Sequence, residues 1–258
     1  MTLNIKKISN YYKYPRDHGL NVFAFFMNGI ISKIFGQSVA AKFFRRYLLG
    51  RRDFYDLLLE SNGKILHIGA CRAEEAGIYQ SAGLGAIFIE ANPALEEELK
   101  SNIAGKANME YIIALAMDTA GQIIQFNISN NIESSSALKF SKLASGEDSL
   151  WPNLDLKMVS TITLESTTIG QLIEGGKLSP EGIDHIVVDT QGTELKVLQG
   201  MPAALLEQAS FITLEASTIE IYQGQDLLDD IKKFLAKYGY RPIWQPTSPH
   251  ADLSFRRH

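Results

Sequence analysis

The chain has 258 residues, 45% of them hydrophobic and 21% charged, enough to bury a full core as one large domain or as one domain with an appendage. Its single cysteine, Cys71, excludes an intramolecular disulfide framework and any paired-cysteine metal site, and so points to a reducing compartment. No stretch reaches the roughly eighteen apolar residues of a membrane span and the first residues carry no secretory pattern, so a cytoplasmic protein is expected.

Charge is spread unevenly around the net of −4. Residues 1–60 hold ten Lys/Arg against four Asp/Glu, and 12 of the 25 aromatic residues. Within them, 22–35 is apolar almost all round. The stretch 39–49 is amphipathic, with Val39, Phe43, Phe44, Tyr47 and Leu48 on one side and Lys42, Arg45 and Arg46 on another. This predicts a helical extension over residues 1–60. It would serve as a lid, as an oligomer interface, or as a peripheral contact with the inner face of a membrane.

After Ser61-Asn62-Gly63, a turn signal, the rhythm changes. Short apolar runs alternate with helical patterns: "KILHIG" strand, "EEAGIYQSAG" helix, "AIFIE" strand, "PALEEELKSNI" helix, "YIIALA" strand. Such alternation predicts βαβ units and a parallel sheet. From 118 to 165 the strands "GQIIQFNIS" and "MVSTITLES" flank polar loops, an insertion of hairpin and loop above the sheet. The α/β pattern resumes with "DHIVVDT", "TELKVLQG", "FITLEAS" and "LLDDIKKFLAKYG". The closing "RPIWQPT" and "ADLSFRR" predict a hairpin, and therefore a last strand antiparallel to the others.

In an open α/β sheet, ligands bind beyond the carboxyl ends of the strands. Those ends carry His67, Gly69, Ala70 and Cys71; Glu90, Ala91 and Asn92; Ala116 and Met117; Asp189 and Gln191; and Glu215. Glu90 is the sharpest candidate. An acid there, about twenty residues beyond the glycine turn, suits a ribose, because a carboxylate accepts both protons of a cis-diol. A dinucleotide loop needs Gly-x-Gly-x-x-Gly, but those places read Gly69, Cys71 and Glu74, and an acid would repel a diphosphate. A nucleoside without phosphate fits better, and S-adenosyl-L-methionine combines a ribose diol, a sulfonium and an α-amino group.

The segments "HIGACRAEE", "AIFIEANPALEEELKSNI", "NNIESSSAL", "DHIVVDTQGTELKVLQG" and "FITLEAS" resemble the FkbM-type S-adenosylmethionine-dependent methyltransferases over about residues 60–258. The Asp-x-Gln-Gly-x-Glu run (Asp189, Gln191, Gly192, Glu194) and the Glu-Ala-Asn-Pro run carry the resemblance together. It implies an α/β, class I methyltransferase (Rossmann-like) seven-stranded sheet with an antiparallel last strand over 61–258. It also implies O-methylation, with sugars of polysaccharides, glycolipids or glycosylated metabolites as acceptors. Members commonly begin the first loop Asp-x-Gly-Ala-Asn-x-Gly; here His67, Cys71 and Ala73 replace the Asp, the Asn and the last Gly.

Asp189, Glu215 and His250, the last expected in the turn before the final strand, are the candidate bases for a hydroxyl proton. Ser135 and Ser136 in "ESSSAL" are expected above the cofactor, with hydroxyls for its methionine carboxylate or for the acceptor. No metal site is expected, and the acidic body argues against nucleic acid. Two other readings remain. One is an inactive methyltransferase-like binding module, suggested by His67 and Ala73. The other is a nucleotide-dependent oxidoreductase, which the missing glycines oppose.

Overall fold

In the computed structural model the structure describes residues 54–146, 148–246 and 248–258. The expected helices at 22–35 and 39–49, and the basic aromatic surface with its lipid contact, lie outside the described residues. Phe54–His258 forms one compact unit.

Its centre is a seven-stranded sheet in the order β3-β2-β1-β7-β8-β10-β9. The strands are β1 (Lys64–Ile68), β2 (Gly85–Glu90), β3 (Met109–Ile113), β7 (Ile183–Val188), β8 (Phe211–Ser217), β9 (Tyr240–Pro242) and β10 (His250–Arg257). β1 pairs in parallel with both β2 and β7, while β10 runs antiparallel to β8 and β9. The antiparallel last strand is therefore as the sequence predicts. His250, however, is the first residue of β10, opposite Ser217, and not part of the preceding turn.

The sheet is buried on both faces, which explains why its strands read as apolar runs rather than as alternating ones. All six residues of β2 are buried. Leu66, Ile68, Ile186, Val188, Ile212 and Leu214 pack on one face against α4 (Ile169–Glu174), α5 (Glu194–Gln199), α6 (Ala203–Gln208) and α7 (Leu228–Ala236). Ile65, Phe88 and Val187 face the other way, against α1 (Phe54–Glu60), α2 (Ala76–Ser81) and α3 (Glu96–Ile103). Helix entries follow local chemistry. Asn92 accepts from the Ala94 N–H at 3.1 Å and Pro93 opens the turn before α3, whose first turn carries Glu96, Glu97 and Glu98.

The expected strand "YIIALA" is two strands. β3 stays in the main sheet, and β4 (Leu115–Ala116) joins a second, three-stranded sheet of order β4-β6-β5. There β5 (Ile123–Ser129) and β6 (Met158–Thr167) pair antiparallel, the predicted hairpin of the insertion. Gly200 follows α5 at φ −80, not in a left-handed cap. Its lack of a side chain serves a close approach: a Cβ there would lie 2.1 Å from the Met117 carbonyl oxygen. Among the described residues no helix is long and apolar enough to cross a membrane.

Candidate functional site

After β3 the chain returns to the other side of β1, so β1 and β7 flank the point where strand order reverses. A cleft of about 560 Å³, open to solvent, lies at their carboxyl ends. Its lining joins the turn after β1 (Gly69, Cys71), the end of β2 (Glu90, Ala91, Asn92), β4 (Leu115, Ala116), the insertion (Phe126, Glu133, Ser135, Ala137) and the loop after β7 (Asp189, Thr190, Gln191, Thr193).

Glu90 organises the first half. Its Oε2 accepts from the Cys71 N–H at 2.8 Å and its Oε1 from the Asn92 N–H at 2.7 Å. Burial pushes this carboxyl up to about 7, against the pull of those backbone bonds. The turn it holds is built on positive φ angles: 80° at Gly69, 48° at Cys71 and 52° at Ala73. Gly69 is required, because a Cβ would sit 1.8 Å from the Asp189 carbonyl oxygen. At Cys71 and Ala73 the backbone adopts the left-handed geometry that Asn and Gly favour, without either residue. The Cys71 thiol is no nucleophile: burial and the Glu90 carboxylate push it up to about 12.

The loop after β7 closes on itself. Glu194 accepts from the N–H groups of Thr190 and Gly192, each at 3.0 Å. Gln191, at φ 58°, is thereby turned so that its Nε2 donates to both Asp189 Oδ1 and Glu215 Oε2, each at 2.6 Å. The Tyr222 hydroxyl donates to the Gln191 Oε1 and fixes the amide's orientation. Behind this pair, His250 Nε2 lies 2.9 Å from Glu215 Oε1, and its Nδ1 lies 2.6 Å from Ser217 Oγ. Burial and the neighbouring carboxylates push the Asp189 and Glu215 carboxyls well up, while burial pushes His250 down.

The structure therefore brings together Gly69, Cys71, Glu90, Ala91, Asn92, Ala116, Ser135, Asp189 and Gln191 around one cleft. It does not bring His67, Ala70, Met117 or Ser136 to its lining. His67 points to the opposite face of the sheet, where its Nδ1 lies 3.0 Å from the Tyr79 hydroxyl; strand alternation sends it there, and burial lowers it to about 4. Ala70 is buried, Met117 gives its N–H to the Thr167 carbonyl, and Ser136 donates to the Gln191 carbonyl at 2.7 Å. Glu215 and His250 stand behind Asp189 rather than on the lining. Sequence reasoning missed Tyr222 and Trp151. Tyr222 sits 31 residues from Gln191 in sequence, and the Trp151 ring meets His250 edge to face with centroids 5.5 Å apart. Among the described residues no group of three or more His, Cys, Asp or Glu is arranged to hold a metal ion.

Three solved structures similar to this chain are a precorrin-6y C5,15-methyltransferase from Geobacter metallireducens, a magnesium protoporphyrin IX methyltransferase from Synechocystis with bound SAH, and Aeropyrum pernix fibrillarin with natively bound S-adenosyl-L-methionine. The first is 13% identical, with 79% of this chain and 88% of that one covered, at a TM-score of 0.42. The second is 10% identical, with 90% and 100% covered, at 0.41. The third is 13% identical, with 78% and 69% covered, at 0.38. No curated protein matches the sequence. The methyltransferase FkbM domain matches residues 67–242, from within β1 to the end of β9, which takes in the cleft, the insertion and the Asp189 loop. This chain belongs to the FkbM methyltransferase family.

Proposed function

We propose that the chain uses S-adenosylmethionine to methylate a hydroxyl of a saccharide-containing acceptor in a polysaccharide, glycolipid or glycosylated metabolite. The observation that carries the cofactor half is Glu90. Two backbone N–H groups hold its carboxylate at the cleft, and its remaining lone pairs are left for a ribose diol. Ile89, Ala91, Leu115 and Phe126 supply apolar lining for a base, and Ser135 and Thr193 supply hydroxyls for an amino-acid tail. Among the described residues no Lys or Arg lines the cleft, so a pyrophosphate would meet their carboxylates without a countercharge from them, whereas a phosphate-free nucleoside would not.

The bound cofactor supplies a methyl group on a sulfonium. What the chain must add is alignment and a place for the acceptor's proton. Asp189 faces the cleft, and its raised carboxyl is a stronger base than an ordinary carboxylate. It would take the hydroxyl proton as the oxygen bonds to the methyl carbon and the carbon–sulfur bond breaks, its electron pair leaving on the demethylated thioether, and Gln191 holds the carboxylate in place. Glu215 and His250 stand behind it, joined to it through the Gln191 amide and off the lining of the cleft.

Calorimetry and labelled methyl transfer test this together. S-adenosylmethionine should bind at micromolar levels, and label should enter saccharides as an alkali-stable ether. Binding without transfer would leave an inactive binding module, and label in amines alone would replace O-methylation with N-methylation.

A further inference from the structure

The loop before β6 carries a feature that the cofactor cleft does not use. Trp151 is half-buried, its neighbours Leu150 and Leu154 are 47% and 41% exposed, and the loop is rooted in an apolar cluster of Phe140, Leu156 and Tyr222. The N–H of a half-buried indole takes its partner from the protein or from whatever fills the open side. Among the described residues the Trp151 indole N–H has none, although its backbone N–H is bonded to Ser149 Oγ at 3.1 Å. The ring stands edge to face against His250, at 5.5 Å and 70°. His250 in turn contacts Glu215, which shares the Gln191 amide with Asp189. An apolar ring whose N–H bonds no described residue therefore lies at the outer end of the chain of contacts His250–Glu215–Gln191–Asp189.

We propose that Trp151 is the acceptor-binding residue, its ring taking the apolar C–H face of a sugar and its indole N–H donating to one of the sugar oxygens. This rests on the saccharide reading above and deepens it. A sugar ring has one face of C–H bonds and a rim of oxygens, and an indole matches both at once. Charged groups close to this position are His250, Glu215, Asp189 and Asp252, the last opposite Glu215 in the β8–β10 pairing.

The test measures labelled methyl transfer from S-adenosylmethionine to a panel of methyl hexopyranosides and methyl 6-deoxyhexopyranosides. With the best acceptor, Trp151→Ala should raise the acceptor KM on the order of tenfold or more, leaving cofactor affinity unchanged. Trp151→Phe, which keeps a ring and loses the N–H, should fall between Ala and wild type. In a Trp244→Phe background, where Trp151 is the single tryptophan, the accepted glycoside should quench or enhance the emission of product-bound protein. An unchanged KM in folded Trp151→Ala and Trp151→Phe overturns the assignment and leaves the saccharide reading standing. Transfer to no glycoside in the wild type overturns both.

Discussion

The Cys71 backbone N–H donates to the Glu90 carboxylate at 2.8 Å, so the turn that would shape the cofactor cleft is held by the residue that would bind the ribose. Glu90 has two tasks, and its removal should be felt in both. Glu90→Ala is expected to weaken S-adenosylmethionine and its demethylated product by about 1.5–3 kcal/mol, on the order of tenfold to a hundredfold. Calorimetry on a folded variant checks this, and undiminished affinity would remove Glu90 from the ribose role.

The same carboxyl gives a pH signature in the free protein. Its folded value of about 7 lies above the ordinary 4.5, so the folded state holds the proton more tightly than the unfolded state. The resulting stabilisation is complete below about 4.5 and is lost as pH rises through about 7. Buried His67, lowered to about 4, and His185, lowered to about 3, act in the opposite sense. Their stabilisation is complete above 6.5 and is lost as pH falls through those values. Urea unfolding at several pH values should therefore show Glu90→Gln losing part of the decline between 4.5 and 7, the rest staying with Glu75, which burial also pushes up to about 7, and with the raised Asp189 and Glu215 carboxyls, while keeping the acid-side loss. An unchanged profile in the variant would mean that Glu90 titrates normally.

The turn after β1 offers a gain in stability. Cys71 contributes its backbone N–H to Glu90 while its φ of 48° strains an ordinary side chain. Asn tolerates this geometry through local hydrogen bonds. Cys71→Asn should stabilise the fold by roughly 0.5–1 kcal/mol and leave cofactor affinity within a few-fold. Gly69→Ala, which drives a methyl into the Asp189 carbonyl oxygen, should cost at least about 2 kcal/mol. Thermal or urea melts separate the two, and equal stability of all three proteins would contradict the turn geometry.

The sheet was legible because β1, β2, β7 and β8 are buried on both faces and read as apolar runs between helical stretches. Glu90 was legible as a cleft residue because it ends β2 at the carboxyl edge of the sheet. Helices α4 and α6 went unread: six residues show no full helical period, and α2 and α5, equally short, were legible from their place in the strand–helix alternation. The break between β3 and β4 was equally invisible, since which neighbour an apolar run pairs with is not written in its periodicity. His67 was placed at the site by its neighbours in sequence, and the two-residue period of a strand turned it to the other face. The Gln191 contacts with Glu215 and Tyr222 join residues 24 and 31 positions apart, and no local pattern announces them.

The remaining prediction concerns the group that takes the proton. Asp189 lines the cleft, whereas His250 reaches it only through Glu215. A sugar hydroxyl is a very weak acid, so a base acting during transfer is worth roughly a hundred- to ten-thousandfold in rate. Asp189→Asn should therefore keep the fold and most cofactor affinity and lose at least about a hundredfold in kcat. His250→Ala should lose less. The pH profile divides them further. A base works unprotonated, and burial with Glu215 and Asp252 nearby holds Asp189 well above an ordinary carboxyl. Wild-type turnover should accordingly fall away as pH drops through that raised value, a limb His250→Ala keeps and Asp189→Asn loses. Near-normal turnover in Asp189→Asn with a dead His250→Ala would reverse the two roles. Normal turnover in both would mean that alignment alone drives transfer, and the Gln191 bridge would then serve the architecture of the loop and not its chemistry.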